Sequence, residues 1–435
     1  MKRFIGIVII TLIVLKSSAQ NDSLLQQATL DNVVQYALVH QPLLKQSSID
    51  EQITEQQIKS KLSEWYPQVN FAYSFQHNFQ LQETTFGGNT IKIGTENTSG
   101  LQLTATQNLF DRDVLLASRT AQDVRTAIKQ NTTNTRIDVA VNAIKAFYDV
   151  LATTQQIKVA TTTITRLERS LKDATAQYTA GVTDKTDYKR ATIALNNAKA
   201  SKASNEDLLK AKLEYLKTVI GYPTGSDLNI VYDSLAMEKE IYTDTSQIID
   251  YTKRIEYQQL TTQKKLQEAN LKYNKWSYIP SLSAFGAYNL GYQNNSFTKI
   301  YNKSFPNSYA GLSLEFPIFQ GFKRTANIKQ AELEVTRVDW DIINLQKNIN
   351  AEYAQALASY KASFANYQAL KENVDLAKEV YDVIQLQYKA GVKTYLEVTT
   401  AETDLRSAEI NYYNALYQVL ASKTDVQKAL GQINY

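Results

Sequence analysis

The sequence predicts an α+β membrane protein in which one unit, built of long helices and one β-hairpin, occurs twice. Three observations lead to this prediction. The phrase QYTAGV at residues 177–182 returns as QYKAGV at residues 387–392, 210 positions later. Two long stretches, residues 112–180 and 322–390, carry apolar residues at helical spacing. Two shorter stretches alternate apolar and polar residues with the period of a strand, one in each half.

The first nineteen residues have the features of a secretory signal peptide. Lys2 and Arg3 precede an apolar run at residues 4–15, and small residues at 17–19 form a cleavage site. The run is too short to span a bilayer as a helix, and no comparable run follows it. If the exported chain lies in a membrane, it must therefore do so through strands.

Composition limits the chemistry that the chain can perform. It has no cysteine, which excludes disulfides, thiolate metal sites and a lipidated N-terminal cysteine. It has two histidines, His40 and His77, which leave little room for histidine-based catalysis. The net charge of +4 does not point to nucleic acid. We therefore predict no catalytic residue, no metal site and no cofactor.

In the first half, a helical pattern runs from Leu30 to about Ser63, with a break near Pro42. Residues 68–110 then alternate, which predicts a hairpin whose loop, rich in Gly, Thr and Asn, covers residues 83–99. The apolar members of the alternation are Val69, Phe71, Tyr73, Phe75, Phe79, Leu81, Leu101, Leu103, Ala105 and Leu109.

The remaining elements repeat in the same order. The first repeat, residues 20–222, ends with the long helix at 112–180 and a return helix at 184–220. The second repeat covers residues 223–435 and begins with an irregular linker and a helix. Its later elements are the hairpin at 281–318, the long helix at 322–390 and the return helix at 394–430. An apolar stripe at spacings of three and four along the second long helix predicts a coiled-coil seam.

Aromatic residues lie where each hairpin begins: Trp65 and Tyr66 in the first half, Trp276 and Tyr278 in the second. Aromatic side chains at this place are typical of a membrane interface. The strands also match the signature of an outer-membrane barrel, about ten alternating residues long. The alternation alone leaves open a soluble hairpin with one face on a core, and the leader peptide favours the membrane.

The repeated phrase predicts a tight turn between two helices. Gly181 and Gly391 stand where a helix end needs a residue that tolerates positive φ. Thr394 and Glu397 form a capping box for the next helix, and Asp184 with Asp187 is a looser version of it in the first half.

Strand count limits the assembly. Four strands per chain cannot close a barrel, and open strand edges are not tolerated in lipid. Two chains would give eight strands, whose side chains fill the interior. Three chains would give twelve, the smallest symmetric set that leaves a conduit, so the membrane interpretation predicts a trimer.

This order of elements, twice over, resembles the TolC family of outer-membrane efflux proteins across the mature chain. The motifs are the W/Y-x-P before the hairpin, the Y-x-A-G-V turn, and PIF-x-G at residues 317–321. The resemblance implies a homotrimer with a twelve-stranded barrel in the outer membrane of a Gram-negative bacterium and a long periplasmic α-barrel. Two departures are residues 108–111, which lack the proline and glycine of 317–321, and Ile255, where the repeat would place proline.

The resemblance also implies a function and partners. Such a trimer is the passive exit duct of a tripartite efflux pump or a type I secretion system. It contacts outer-membrane lipid, docks a periplasmic adaptor (membrane fusion) protein, and through it serves an inner-membrane transporter. We expect the adaptor to dock at the two turns, through Tyr178, Gly181, Val182, Tyr388, Gly391 and Val392.

The family closes its periplasmic end with a gate, which implies gate residues in this sequence. The matching positions are Tyr388 and Lys393, expected to face Thr186 and Asp187. Glu397, one turn further, would form an acidic ring of three. The alternative is that these are ordinary helix-cap and solvated residues.

Two other functional classes stay open from the sequence. A structural or adhesive coiled-coil protein of the envelope would explain the helical stripes but not the matched hairpins. An exported enzyme would need paired carboxylates such as Asp184, Asp187 and Glu397. These residues lie at helix starts, where acidic side chains are favoured without any catalytic role. No residue pattern names the cargo.

Overall fold

The computed structural model describes residues 24–433, so the predicted signal peptide lies outside the described residues. The helices are α1 (Leu30–His40), α2 (Pro42–Leu62), α3 (Arg112–Thr179), α4 (Lys185–Ile220), α5 (Ser234–Glu240), α6 (Ile255–Lys275), α7 (Lys323–Lys389) and α8 (Tyr395–Ala429). The strands are β1 (Gln68–His77), β2 (Gln82–Phe86), β3 (Asn89–Ile93), β4 (Asn97–Phe110), β5 (Ser281–Asn294) and β6 (Ser304–Glu315).

Two helical hairpins form the long part of the molecule. α3 has 68 residues and α7 has 67, which makes each about 100 Å long. α3 packs along α4, α7 packs along α8, and α3 also packs along α8. The main hydrophobic core lies where these helices meet α1 and the segment that follows α4. None of the helices within residues 24–433 is both long and apolar enough to cross a membrane.

The predicted seam of α7 is a row of tyrosines rather than of aliphatic residues alone. They occur every seventh residue except at Val374, and their side chains are buried or half-buried. The row consists of Tyr353, Tyr360, Tyr367, Tyr381 and Tyr388. The hydroxyl of Tyr353 donates to Gln247 O at 3.0 Å, and that of Tyr360 to Ile241 O at 2.9 Å. Because these bonds come from one line of side chains, they hold α7 in one rotation against its neighbours.

The two halves anchor their return helices in the same way. α2 and α6 each have 21 residues and begin directly after Gln41 and Arg254, both in extended conformation. The Gln41 amide donates to the carbonyls of Thr218 and Val219, at 3.3 and 2.6 Å, at the end of α4. The Arg254 guanidinium donates to the carbonyls of Lys428 and Ala429 at the end of α8, at 3.2 and 3.0 Å. Both side chains donate to carbonyls of the last turn, where the helix itself leaves Val219 O and Ala429 O without partners.

One antiparallel sheet joins the two predicted hairpins in the order β1-β4-β5-β6. β4 pairs with β5, so strands of both halves lie side by side, and β1 and β6 form the two edges. The register places the apolar residues of the four strands on one face. This face consists of Val69, Phe71, Tyr73, Phe75, Leu101, Leu103, Ala105, Leu282, Ala284, Tyr288, Leu290, Ala310, Leu312 and Leu314.

The structure differs from the sequence prediction in the hairpin loops. The loop predicted at residues 83–99 contains a further hairpin, β2–β3, whose two-residue turn Gly87-Gly88 has φ of 59° and 86°. Two positive φ values match the turn that tight hairpins favour. In the second hairpin, the polar residues up to Asn307 predict a loop, but β6 begins at Ser304 and ends at Glu315, before the predicted residue 318.

The other face of the sheet and the linker also depart from the pattern. Aromatic residues Phe285, Phe305 and Tyr309 lie on the otherwise polar face, and the Phe285 ring covers Gly311, whose added Cβ would lie 2.8 Å from it.

The linker after Tyr222 is not wholly irregular, since it contains α5. Ile255 begins α6 as Pro42 begins α2, so the missing proline leaves the helix start unchanged.

The end of α4 generates a stability prediction. A Cβ on Gly221 (φ 70°) would lie 2.6 Å from His40 O, whereas one on Gly225 (φ 84°) would meet no atom within 4 Å. Both substitutions to alanine incur the strain of a left-handed residue, about 1 kcal/mol, but only Gly221→Ala also pushes two backbone segments apart. We expect Gly221→Ala to lower the melting temperature of the detergent-solubilised protein clearly more than Gly225→Ala. Equal losses would contradict this explanation of the contact.

Candidate functional site

The two turns of the repeated phrase end the two helical hairpins and close in the same way. The Gly181 N–H donates to Tyr178 O and the Val182 N–H to Gln177 O, both at 3.0 Å. The equivalent bonds in the second half measure 3.0 and 2.9 Å. The glycines have φ of 74° and 75°, as this type of helix end requires.

Both turns expose apolar side chains at their ends. Val182 is 72% exposed and Val392 is 71% exposed. Tyr178 is also exposed and lies against Tyr188, with the ring centroids 5.2 Å apart. We name these two turns, each with the first turn of the helix that follows it, the helical tips (residues 177–187 and 387–397). Both tips present exposed apolar side chains at the ends of the helical hairpins.

Where the two helical tips meet, the ends of four helices form a small core. Ala174 of α3, Ala191 of α4, Tyr388 of α7 and Tyr395 of α8 are buried together. The Tyr388 and Tyr395 rings lie 5.9 Å apart. This core holds the two tips of one chain against each other.

Within the single chain, the Tyr388 side chain forms a bond between the two tips. Its hydroxyl donates to Gln177 Oε1 at 2.9 Å, not to the carboxylate of Asp187. Burial, and then the nearby charge of Asp187, raise the pKa of Tyr388 to about 12. Asp187 therefore lies close enough to act on the phenol through its charge, while the bond between the two tips runs from α7 to Gln177.

The contacts predicted for Lys393 and Thr186 also differ. Lys393 Nζ pairs with Glu397 Oε1 at 2.6 Å within the second tip, and the Thr186 N–H donates to Asp184 Oδ1 at 2.5 Å. Asp184 thus caps α4 without help from Asp187. Neither Lys393 nor Thr186 contributes to a bond between the tips within residues 24–433.

Glu397 completes the predicted capping box with Thr394. The bond from Lys393, followed by that from the Thr394 backbone, lowers the pKa of the Glu397 carboxyl to about 2. Because this pKa is depressed in the folded protein, the stabilisation is fully present at neutral pH and is lost progressively as the pH falls from about 4.5 through about 2. The carboxylate is therefore ionised under physiological conditions, as an acidic ring would require.

The aromatic residues at the start of the hairpins lie beside cations and solvent. The Arg119 guanidinium lies 4.8 Å from the centre of the Trp276 ring, and that of Arg324 4.4 Å from the centre of the Tyr278 ring. Tyr66 is largely exposed. An aromatic ring with an arginine on its face suits the boundary between lipid tails and polar head groups.

A second aromatic cluster, which the sequence prediction does not include, lies at the opposite end of the sheet. A short 3-10 helix, Phe297–Asn302, folds onto the end of the apolar face, where Tyr301 contacts the Tyr73 hydroxyl at 3.0 Å. The rings of Phe297 and Phe75 lie 5.7 Å apart. The aromatic residues at positions 297–305 of an otherwise polar loop could have indicated this cluster from the sequence. The apolar face is thus bounded by aromatic residues at both ends.

The two histidines make local structural contacts. His40 stacks on Tyr36, with ring centroids 3.9 Å apart, and His77 Nδ1 lies 2.8 Å from Asn97 Oδ1. In the part of the chain that the structure describes, no group of three or more acidic or histidine side chains is placed to hold a metal ion.

Comparisons with known proteins agree with this geometry. A family model described as "Outer membrane efflux protein" matches residues 33–222 and 256–432. The chain is 22% identical over 434 residues to the outer membrane protein TolC of Escherichia coli strain K12, a match that covers 95% of this chain and 84% of TolC. The crystal structure of CusC superposes with a TM-score of 0.74 at 17% identity, covering 94% of this chain and 95% of CusC. The Campylobacter jejuni CmeC outer membrane channel gives a TM-score of 0.73 at 17% identity, covering 93% and 85%.

Proposed function

Because the chain belongs to the outer membrane efflux protein family, we propose that three copies of it assemble into the exit duct of a tripartite efflux pump or a type I secretion system. One observation carries the proposal. The four-stranded sheet has one apolar face, and both of its edge strands, β1 and β6, have a free side. A sheet of this kind is stable in an outer membrane only when its edges are paired with other chains.

The number of copies follows from the geometry of closure. The edge of β6 in one copy pairs with the edge of β1 in the next, and each added copy contributes four strands. A barrel of eight strands is filled by its own side chains, whereas a larger one encloses a channel. Three copies, with twelve strands, therefore form the smallest ring of this sheet that conducts.

The apolar face lies against lipid and the polar face lines the channel. The aromatic residues at both ends of the apolar face match the two interfaces of a membrane. The long helices then extend into the periplasm as a continuation of the channel. The proposal assigns no catalytic residue and no cofactor to this duct.

The sheet offers a direct test with neighbouring residues. Phe71 lies on the apolar face and Asn70 on the polar face, and both are exposed in the single chain. An arginine that faces lipid near the membrane centre costs about 2–4 kcal/mol, whereas one that faces the channel meets water. We expect wild-type protein to purify as a trimer that conducts ions in planar bilayers, Phe71→Arg to fail in membrane insertion, and Asn70→Arg to insert with shifted ion selectivity.

Two results would contradict the proposal. One is a wild-type protein that is monomeric in detergent and does not conduct. The other is a Phe71→Arg variant that inserts as well as Asn70→Arg does, because the apolar face would then not contact lipid.

We further propose that the helical tips close the duct at rest and separate during transport. Tyr388, Lys393 and Glu397 of the second tip, with Thr186 and Asp187 of the first, form the gate. The bond from Tyr388 to Gln177 is the contact between tips that supports this proposal. A hydrogen bond of this kind contributes roughly 1 kcal/mol, so three copies hold a closed state that a partner protein can release.

The gate can be tested by removing the Tyr388 hydroxyl, which bonds to Gln177, together with the negative charge of Asp187 beside it. We expect Tyr388→Phe combined with Asp187→Ala to raise the single-channel conductance of the purified trimer. Tyr353→Phe is the matched control, because it removes an equivalent hydroxyl bond on the same helix, 35 residues from Tyr388 and about 50 Å along α7. Unchanged conductance in the double variant, or an equal rise in the control, would place the gate elsewhere.

We propose that the same tips dock a periplasmic adaptor, which links the duct indirectly to an inner-membrane transporter. Each chain presents two nearly identical turns with an exposed valine, Val182 and Val392, so a trimer presents six. A ring of six similar apolar sites suits a partner that itself forms a ring. Tyr178 adds an exposed aromatic side chain to the first site.

Substitutions that distort the turns should weaken docking of the adaptor without preventing insertion of the trimer into the membrane. We expect Gly181→Val and Gly391→Val to strain a left-handed residue by about 1–2 kcal/mol and to weaken crosslinking to the adaptor and efflux, while the trimer still inserts. Gly225→Val is the control, since it strains a residue of the same conformation (φ 84°) outside the tips. Normal crosslinking and full efflux in both tip variants would refute docking at the tips.

A further inference from the structure

A buried cluster of charges joins α3 of the first half to α8 of the second half, further along the helices from the helical tips. Arg166 of α3 donates from Nε to both carboxylate oxygens of Glu402 on α8, at 3.0 and 3.1 Å. Its Nη2 donates to Glu409 Oε2 at 3.2 Å and to Thr163 Oγ1 at 3.3 Å. The Glu402 side chain is 5% exposed, that of Arg166 20% and that of Glu409 22%.

A third helix takes part in the cluster. The Arg166 guanidinium carbon lies 5.6 Å from the centre of the Tyr381 ring on α7. Tyr381 precedes Tyr388 by seven residues in the tyrosine row, which places the cluster roughly 10 Å further from the tips. The cluster, defined as Arg166, Tyr381, Glu402 and Glu409, therefore connects α3, α7 and α8 at one level.

The charges of the cluster depend on one another. Burial opposes the charge of Arg166, but the carboxylates of Glu402 and Glu409 outweigh it and raise the pKa of the guanidinium. Burial also raises the pKa of Glu402 in spite of the guanidinium. Removing Arg166 would leave a buried carboxylate without its partner and beside a second carboxylate, which is far more costly than losing an exposed pair.

The repeat shows that this cluster is not a general requirement of the helical packing. The equivalents of Arg166, Glu402 and Glu409 at the 210-residue offset are Leu376, Thr192 and Lys199. Leu376 is exposed on the single chain, in a row with Val380 and Val383. Only the contact between α3 and α8 carries the charges, whereas the equivalent surface of α7 is apolar.

We propose that the cluster is a clamp that holds the α3–α4 hairpin to the α7–α8 hairpin and limits how far the helical tips separate. This inference rests on the proposed function as a duct that opens at its tips. Separation of α8 from α3 pulls the two Glu402 oxygens away from Arg166 Nε. Because a buried ion pair tolerates little change in geometry, the clamp holds the closed arrangement until a partner supplies the energy to break it.

The clamp is tested by a distance between the tips that does not depend on conduction. The chain has no cysteine, so Val182→Cys and Val392→Cys place two spin labels at the exposed tips without further changes. We expect Arg166→Met to lengthen the distance measured by double electron–electron resonance. We also expect it to raise the open fraction of single channels roughly tenfold or more, as the loss of a charged hydrogen bond predicts.

Two further variants separate a clamp from a purely structural ion pair. Arg254→Met is the matched control, because Arg254 is also a buried arginine between two carboxylates, Glu256 at 3.0 Å and Glu352 at 2.8 Å, and with a side chain only 5% exposed it is buried more deeply than Arg166. It should lower the melting temperature without changing the tip distance. Exchanging the charges, Arg166→Glu with Glu402→Arg, should restore the wild-type tip distance and conductance.

Each outcome bears on one proposal only. If the wild type conducts while Arg166→Met keeps the wild-type tip distance and conductance, the clamp is refuted and the duct stands. If the wild type does not conduct, the proposed duct fails, and the tip distance still decides whether the cluster is a clamp. A tip distance that lengthens equally in Arg254→Met would show that general loss of stability, not the clamp, opens the tips.

Discussion

The constraint on which the rest of the structure depends is the unpaired backbone at both edges of the four-stranded sheet. An open edge in lipid leaves donors and acceptors without partners, and in the sheet that residues 24–433 form, neither β1 nor β6 pairs with a further strand on its outer side. In the proposed duct, the sheet is completed as part of a larger ring. The long helices of that duct continue the wall that the strands begin, so they must keep the same number of copies.

Equivalent positions in the two repeats keep the same structural role although their side chains differ in chemistry. Gln41 and Arg254 occupy equivalent places and satisfy the same carbonyls at the ends of α4 and α8, one as an amide and the other as a buried cation that needs two carboxylates. The geometry of the helix end is thus the same in both halves, but the second half builds it with a buried cation and its two carboxylates. Gln41 and Arg254 therefore have the same structural role although their side chains differ in charge.

Much of the fold could be predicted because its signals are local. Helix bounds follow from periodicity, and the turns follow from Gly181 and Gly391 at their αL positions. The partners of Tyr388 could not be predicted, since the choice between Gln177 and Asp187 depends on how α7 is rotated against α3 and α4. The Arg166 cluster was missed for the same reason, because Arg166 is more than 200 residues from Tyr381, Glu402 and Glu409. The β2–β3 hairpin was missed although its Gly-Gly turn was a local signal.

The two surfaces of the helical part differ in how they resist motion. Between α3 and α8, the contact relies on directional bonds of Arg166, which are either formed or broken. The equivalent surface of α7, with Leu376, Val380 and Val383, is exposed on the single chain. In the proposed duct, its apolar contacts would vary little in energy as one helix slides along another, so this contact would yield gradually and the Arg166 contact in one step. A duct with one contact of each kind per chain can keep its wall continuous while its tips change between two discrete positions.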